Sequence, residues 1–257
     1  MKKAQFTAPA ISLFGIRIHA IRMAQALDII CAAIAERAHL QIGVVNAAKV
    51  VNMGKDPSLG EDVRASDLIL ADGVAVVWAS RLLGAALPER VTGIDLMYGM
   101  LERGNQKGFA VYCLGATEEI SAKVAQKISE QFPNVRIAGR QHGYFKPDEE
   151  AAVAAAIGAS KADILLVAMT SPKKENFMAR WKETMGVPVC HGVGGSFDVM
   201  AGKVERAPVL WQKLGMEWLY RVKQEPRRLW KRYLVTNTQF TGMVLSGMVR
   251  RLFGAGT

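Results

Sequence analysis

The stretch from Val187 to Asp198 reads Val-Pro-Val-Cys-His-Gly-Val-Gly-Gly-Ser-Phe-Asp. Its first four residues, Val187–Cys190, form an apolar run that predicts a short buried strand. The glycines Gly192, Gly194 and Gly195 follow where the chain would turn into a helix. Backbone N–H groups in such a turn can approach a phosphate, and a helix N-terminus favours negative charge. The stretch therefore predicts a strand, a phosphate-binding loop and a helix; a turn that needs glycines only for packing is the alternative.

Two polar residues follow these glycines. Ser196 stands where its hydroxyl would cap the helix, and Asp198 falls inside the first helical turn. A carboxylate at this position can accept hydrogen bonds from the base or the sugar of a nucleotide. Asp198 is therefore a candidate binding residue together with Gly194 and Gly195.

Short apolar runs alternate with helical segments over the rest of the first 200 residues. The predicted strands, besides Val187–Cys190, are Ser12–Ile18, Gln41–Asn46, Asp67–Leu70, Phe109–Leu114, Val135–Gly139 and Asp163–Met169. This alternation predicts an α/β fold with a doubly wound, mostly parallel, Rossmann-like sheet. Ligands of such sheets bind outside the carboxyl ends of the strands. The polar residues that directly follow strands are therefore candidates: Asn46, Asp72, His142, Tyr144, the segment 171–175, Ser196 and Asp198.

Length and composition exclude several classes of protein. At 257 residues, half of them hydrophobic, the chain can bury a substantial core. We expect neither a membrane span, since no apolar run reaches 18 residues, nor a secretory signal peptide. The three cysteines and four histidines are scattered, and their spacing predicts no metal site, no disulfide and no cofactor. A dinucleotide-dependent oxidoreductase is disfavoured because no Gly-x-Gly-x-x-Gly follows the first strand.

Positive charge is concentrated at the C-terminal end. Of the net charge of +10, the segment from Lys203 onward carries +8, with eleven Lys or Arg against three Glu. Tryptophans and tyrosines alternate with these cations, a mixture that suits a membrane interface or a single-stranded nucleic acid. The uncharged run Tyr233–Val249 is short for a span and predicts an interfacial helix. We therefore predict an α/β domain over 1–208 and a basic, aromatic-rich, helical appendage over 209–257.

Taken in series, these loops resemble the WecG/TagA/CpsF family of glycosyltransferases, glycosyltransferase family 26. Each motif alone is weak, but their order and spacing extend over nearly the whole chain. The matching segments are Asn46-Ala47, Ala71-Asp72-Gly73, Leu87 to Asp95, His142-Gly143-Tyr144-Phe145, Ser171-Pro172-Lys173-Lys174-Glu175, Gly192 to Pro208, Leu214 to Arg221, Gln224 to Arg228 and Arg232-Tyr233. The resemblance does not fix the sugar.

The resemblance implies an inverting transfer of a hexose or N-acetylhexosamine from a nucleotide donor, usually UDP-linked, to a polyprenyl-diphosphate-linked glycan. Such transfers serve bacterial surface or exopolysaccharide synthesis. Asp72 stands where the family has its proposed base, which deprotonates the acceptor hydroxyl. Arg90 would stabilise the departing diphosphate. The substrate-binding residues would be Asn46, Tyr144, Lys174, Glu175, Gly194, Gly195, Asp198, Arg221 and Arg228.

The resemblance also bears on partners and location. In the family the C-terminal segment targets the membrane and supplies arginines to the active site, which favours an anionic lipid surface over nucleic acid. The expected location is cytoplasmic, peripheral on the inner face of the plasma membrane. Whether the chain forms a homo-oligomer stays open.

Two positions depart from the family pattern. Val44 stands where a threonine is common, and Lys174 replaces a glutamine. Lys174 would suit a changed donor or acceptor, for instance an acidic sugar. The alternative is a catalytically weak or inactive homologue that keeps the nucleotide loop and acts as a membrane-bound partner of a polysaccharide assembly complex.

Overall fold

The structure, a computed structural model, describes residues 2–253, with the side chains of Lys213 and Arg228 outside the description. The strands are β1 Ala10–Leu13, β2 Ile16–His19, β3 Leu40–Val45, β4 Leu68–Ala71, β5 Ala110–Gly115, β6 Arg136–Gln141, β7 Ile164–Ala168 and β8 Val189–Gly192. The α-helices are α1 Met23–Ala35, α2 Ala47–Met53, α3 Pro57–Arg64, α4 Val74–Leu82, α5 Gly93–Lys107, α6 Glu118–Gln131, α7 Glu150–Ala159, α8 Lys173–Arg180, α9 Lys182–Met185, α10 Ser196–Met200, α11 Val209–Lys213, α12 Glu217–Gln224 and α13 Pro226–Leu252.

Six strands form one parallel sheet in the order β4-β3-β8-β7-β5-β6. Successive residues of each strand point to opposite faces. Leu68 and Leu70 pack on the side covered by α1, α5, α6 and α10, whereas Ile69 and Ala71 face the side covered by α2, α3, α4 and α13. The predicted α/β fold with a doubly wound parallel sheet is confirmed. Because all six strands are parallel, their carboxyl ends lie along one edge.

The predicted first strand, Ser12–Ile18, is wrong. This segment forms an antiparallel hairpin, β1-β2, in which Leu13 pairs with Ile16. The two residues between them, Phe14 and Gly15, have φ angles of 52° and 70°. Two successive positive φ angles are what a tight hairpin turn needs, and Gly15 adopts one at no steric cost.

The last helix, α13, packs along α2. Phe240 and Val244 on its inner side are buried in the same apolar cluster as Val50 and Val51 of α2, and the Phe240 ring meets Phe14 edge-on. This helix therefore contributes to the core on that side of the sheet. Among the residues that the structure describes, no helix is both long and apolar enough to cross a membrane.

Candidate active site at the carboxyl ends of the strands

Asp72 is fixed between the ends of two neighbouring strands and the start of a helix. Asn46 follows β3 and caps α2, where its Oδ1 accepts the N–H of Lys49 at 3.0 Å. The Nδ2 of Asn46 donates to Asp72 Oδ2 at 3.4 Å, and the N–H of Gly93 donates to Asp72 Oδ1 at 2.9 Å. The carboxylate is partly exposed. This arrangement holds the Asp72 carboxylate in one orientation at the carboxyl edge of the sheet, as a general base requires.

His191 fixes the position of Gly93, the residue whose N–H donates to Asp72. It lies in β8, fully buried, and its Nε2–H donates to the carbonyl oxygen of Gly93 at 3.0 Å. Burial lowers the pKa of His191 to about 4, although Gly93 and Asp72 act in the opposite direction. The ring is therefore neutral near pH 7, and its Nδ1 is buried without a hydrogen-bond partner among the described residues. Sequence reasoning missed this contact because it ended the strand at Cys190, and β8 continues to Gly192.

Three charged side chains form a largely buried group, and one of them, Lys174, interacts electrostatically with Asp72. Glu175 Oε1 lies 2.9 Å from Lys49 Nζ and 3.4 Å from Lys174 Nζ. Burial, reinforced by Lys49, lowers the pKa of Lys174 to about 8. Burial would raise the pKa of Glu175, but the two lysines outweigh it and hold the pKa below its usual value. Lys49 was not among the residues predicted from the sequence.

The glycine loop after β8 differs from the sequence-based expectation in one residue. Ser196 does not cap α10, because its Oγ donates to the carbonyl oxygen of Val193 at 2.8 Å and Gly195 precedes the helix instead. Gly194 has a φ of 53°, which favours glycine. Gly195 has a φ of −74°, and a Cβ there would meet nothing closer than 3.8 Å. Neither backbone conformation nor packing within the described chain requires a glycine at 195.

Helix α12 brings an arginine to this loop. Arg221 Nη1 lies 3.8 Å, and Asp198 Oδ2 3.9 Å, from the position of a Cβ on Gly195. One turn earlier on the same helix, Glu217 Oε2 lies 3.4 Å from Arg90 Nη1. The salt bridge thus connects the loop that carries Arg90 to the helix that carries Arg221.

Two predicted residues lie apart from this group. Tyr144 follows the edge strand β6, its side chain is 76% exposed, and β7 and β5 lie between it and β8. Neighbouring strands are about 4.8 Å apart, so Tyr144 lies on the order of 14 Å from the end of β8, measured along the carboxyl edge of the sheet. The side chain of Arg228 lies outside the described residues. No group of three or more His, Cys, Asp or Glu in the described part of the chain is arranged to hold a metal ion.

A parallel α/β sheet with polar side chains gathered at its carboxyl edge defines a ligand-binding α/β protein. The family model described as glycosyl transferase WecG/TagA/CpsF family matches residues 11–253. The chain belongs to this family, as the sequence motifs predicted. It is therefore a glycosyltransferase of cell-surface polymer synthesis, whose family uses nucleotide-sugar donors and glycan acceptors.

Proposed function

We propose that this protein transfers a hexose or N-acetylhexosamine, with inversion, from a UDP-linked donor to a glycan on a polyprenyl diphosphate. One observation carries the proposal: an oriented carboxylate, Asp72, and a glycine loop with an arginine beside it lie along the same sheet edge. Strands β4 and β8 are separated only by β3, which sets their ends roughly 10 Å apart. A sugar and the phosphate that it leaves fit within such a span.

The glycine at 195 supports a diphosphate position on the loop. Because this residue is not needed for packing or backbone geometry, close approach of a ligand to the backbone is the remaining physical reason for it. The N–H groups of Gly194 and Gly195 and the guanidinium of Arg221 would face the diphosphate. Asp198 would accept hydrogen bonds from the nucleoside.

In an inverting transfer the acceptor hydroxyl attacks the anomeric carbon while the nucleotide leaves from the opposite side. Asp72 would take the hydroxyl proton, and its hydrogen bonds from Asn46 and Gly93 would keep the carboxylate oriented. Arg221 and Arg90 would stabilise the charge that develops on the diphosphate. Arg90 is held by Glu217, so a bound diphosphate would share it with that carboxylate.

The other predicted substrate contacts remain part of the proposal. Glu175 would act through the two lysines that it holds, Lys49 and Lys174, which lie between its buried carboxylate and the donor. Tyr144 and Arg228 would contact the acceptor, which is longer than the donor and can extend along the edge.

We also propose that residues 209–257 hold the enzyme on the inner face of the plasma membrane, where the polyprenyl acceptor resides. Trp230, Leu234, Leu245 and Val249 are exposed, and their spacing places them on one side of α13. Cations on the same helix would meet anionic lipid, each contributing about 1 kcal/mol. The helix would lie on the surface with its other side packed on α2.

A transfer assay tests the proposal. Purified protein is incubated with UDP-sugars and a polyprenyl-diphosphate-linked acceptor, and the product is identified by mass spectrometry and its anomeric configuration by NMR. We expect one donor to give an inverted product and the Asp72→Asn variant to give little. UDP binding without transfer for any donor would instead support the inactive, nucleotide-binding homologue, which Val44 beside Gly93 and Lys174 in the buried group favour. No UDP binding at all would contradict both.

A further inference from the structure

The side chain of Lys174 extends to the glycine loop that follows β8. It starts in the first turn of α8, and the residue is only 8% exposed. The Cε and Cδ atoms lie 3.0 and 3.1 Å from the position of a Cβ on Gly192, so the lysine occupies the space that a larger residue there would need. Its Nζ lies 3.9 Å from the corresponding position on Gly194. The ammonium group is therefore next to the residue proposed to bind phosphate.

The ammonium group of Lys174 has few hydrogen-bond partners in the described structure. Lys174 and Lys49 share one oxygen of Glu175, so these three side chains together carry one net positive charge. Asp72 is near enough to interact with Lys174 electrostatically, but no hydrogen bond joins them in the described structure. An ammonium has three N–H donors, and Glu175 accepts from only one of them. A buried charge without a full set of partners is costly, and an anion at this place would relieve that cost.

We propose that Lys174 binds an anionic oxygen of the nucleotide-sugar donor, so that the substrate supplies a hydrogen-bond acceptor that the buried ammonium group lacks. The inference rests on the proposed nucleotide donor and adds a specific contact to it. The position of Nζ beside Gly194 favours the diphosphate as the source of this oxygen. The carboxylate of an acidic sugar offers the same chemistry and is separated from the diphosphate by the experiment below.

A pH dependence of binding follows from the charge of Lys174. Its pKa of about 8 in the free protein reflects burial and the repulsion by Lys49, while Glu175 and Asp72 act the other way. His191, which interacts with Lys174, is neutral near pH 7, and Asp62 on α3 interacts electrostatically with Glu175. A bound anion favours the ammonium form and raises this pKa. Affinity should therefore fall as the pH rises from 7 to 9, by about tenfold, since about one molecule in ten carries the charge at pH 9.

Calorimetric titration with UDP at pH 7 and pH 9 tests this. For the wild-type protein we expect the Kd to rise about tenfold between the two values. Lys174→Gln should bind UDP about tenfold more weakly at pH 7 and show little further change at pH 9. The control is Lys173→Gln, which removes the same charge one residue earlier, where Nζ instead donates to the carbonyl oxygens of Gly143 and Phe145. It should keep the pH dependence of the wild type.

A second arm identifies the source of the anionic oxygen. UDP-glucose and UDP-glucuronic acid are titrated into the same proteins. Weaker binding of both, and of UDP, by Lys174→Gln assigns the contact to the diphosphate, whereas weaker binding of the glucuronate donor alone assigns it to the sugar. Unchanged binding of all three overturns the inference while leaving the nucleotide donor in place. A flat pH profile of wild-type binding for UDP, UDP-glucose and UDP-glucuronic acid alike overturns it without any variant. Failure of the wild type to bind UDP contradicts the proposed function itself.

Discussion

Acid should destabilise this protein through His191. Burial lowers the pKa of this ring from its ordinary value of 6.5 to about 4. Between these two values the unfolded chain binds a proton that the folded protein does not, so stability falls as the pH falls from 6.5 toward 4. At pH 5 the difference amounts to about 2 kcal/mol relative to pH 7.5, and it approaches about 3 kcal/mol at pH 4. Burial also lowers the pKa values of His39 and His19, which adds to the effect.

Urea denaturation followed by circular dichroism at pH 7.5 and pH 5 measures this loss. The matched variant is His191→Gln, which keeps an N–H donor for the carbonyl oxygen of Gly93 but does not titrate. Other groups titrate alike in both proteins, so the difference between their two losses isolates His191. We expect the variant to lose about 2 kcal/mol less than the wild type between the two pH values. Equal losses of stability in the two proteins would show that burial does not lower the pKa of His191.

Two further predictions concern the chemistry and the membrane. Asp72→Asn should cut turnover by roughly 10²–10⁴-fold while UDP binding is retained, because the amide keeps the shape but cannot take a proton; near-normal turnover, measured with the lipid-linked acceptor, would remove Asp72 from the mechanism. Leu234→Ser combined with Leu245→Ser should reduce co-sedimentation with anionic liposomes, since both side chains are exposed on the outer side of α13. Added salt should weaken only the electrostatic part of this binding, and a wild-type protein that ignores anionic liposomes would contradict the membrane proposal. Truncation of α13 is a poorer test, because it would uncover the apolar side of α2 that Phe240 and Val244 cover.

Much of the fold could be predicted because its signals are local. Apolar runs bounded by Gly, Asp or Asn gave the six parallel strands, and the residue after each strand gave Asn46 and Asp72, which contact each other. The hairpin was missed because Phe14 adopts a positive φ that a phenylalanine rarely takes. The division of the chain at residue 208 stays a prediction.

The site was harder to predict than the fold, because its contacts join distant residues. Lys49 pairs with Glu175 across 126 positions of sequence, and nothing local distinguishes this lysine from a solvated one. His191 donates to the carbonyl oxygen of Gly93, 98 positions away in the sequence. This contact depends on the pairing of β3 with β8, which places the strand of His191 next to the strand that precedes Asn46. The pattern of apolar and polar residues predicts which residues follow strands. The order of the strands in the sheet decides which of these residues come into contact. Tyr144 follows a strand as Asp72 does, yet it lies at the other end of the sheet.

Binding of UDP to the Gly195→Val variant tests the central claim most directly. Valine fits the φ of −74° at this position and its Cβ meets no described atom within 3.8 Å, so we expect a folded protein with an unchanged circular dichroism spectrum. A branched side chain would nevertheless keep a diphosphate away from the backbone N–H groups of the loop. By isothermal titration calorimetry, the wild-type protein should bind UDP and the variant should give no measurable heat of binding. Equal affinity of the two proteins for UDP would show that the donor binds elsewhere, and the account of this site would be wrong.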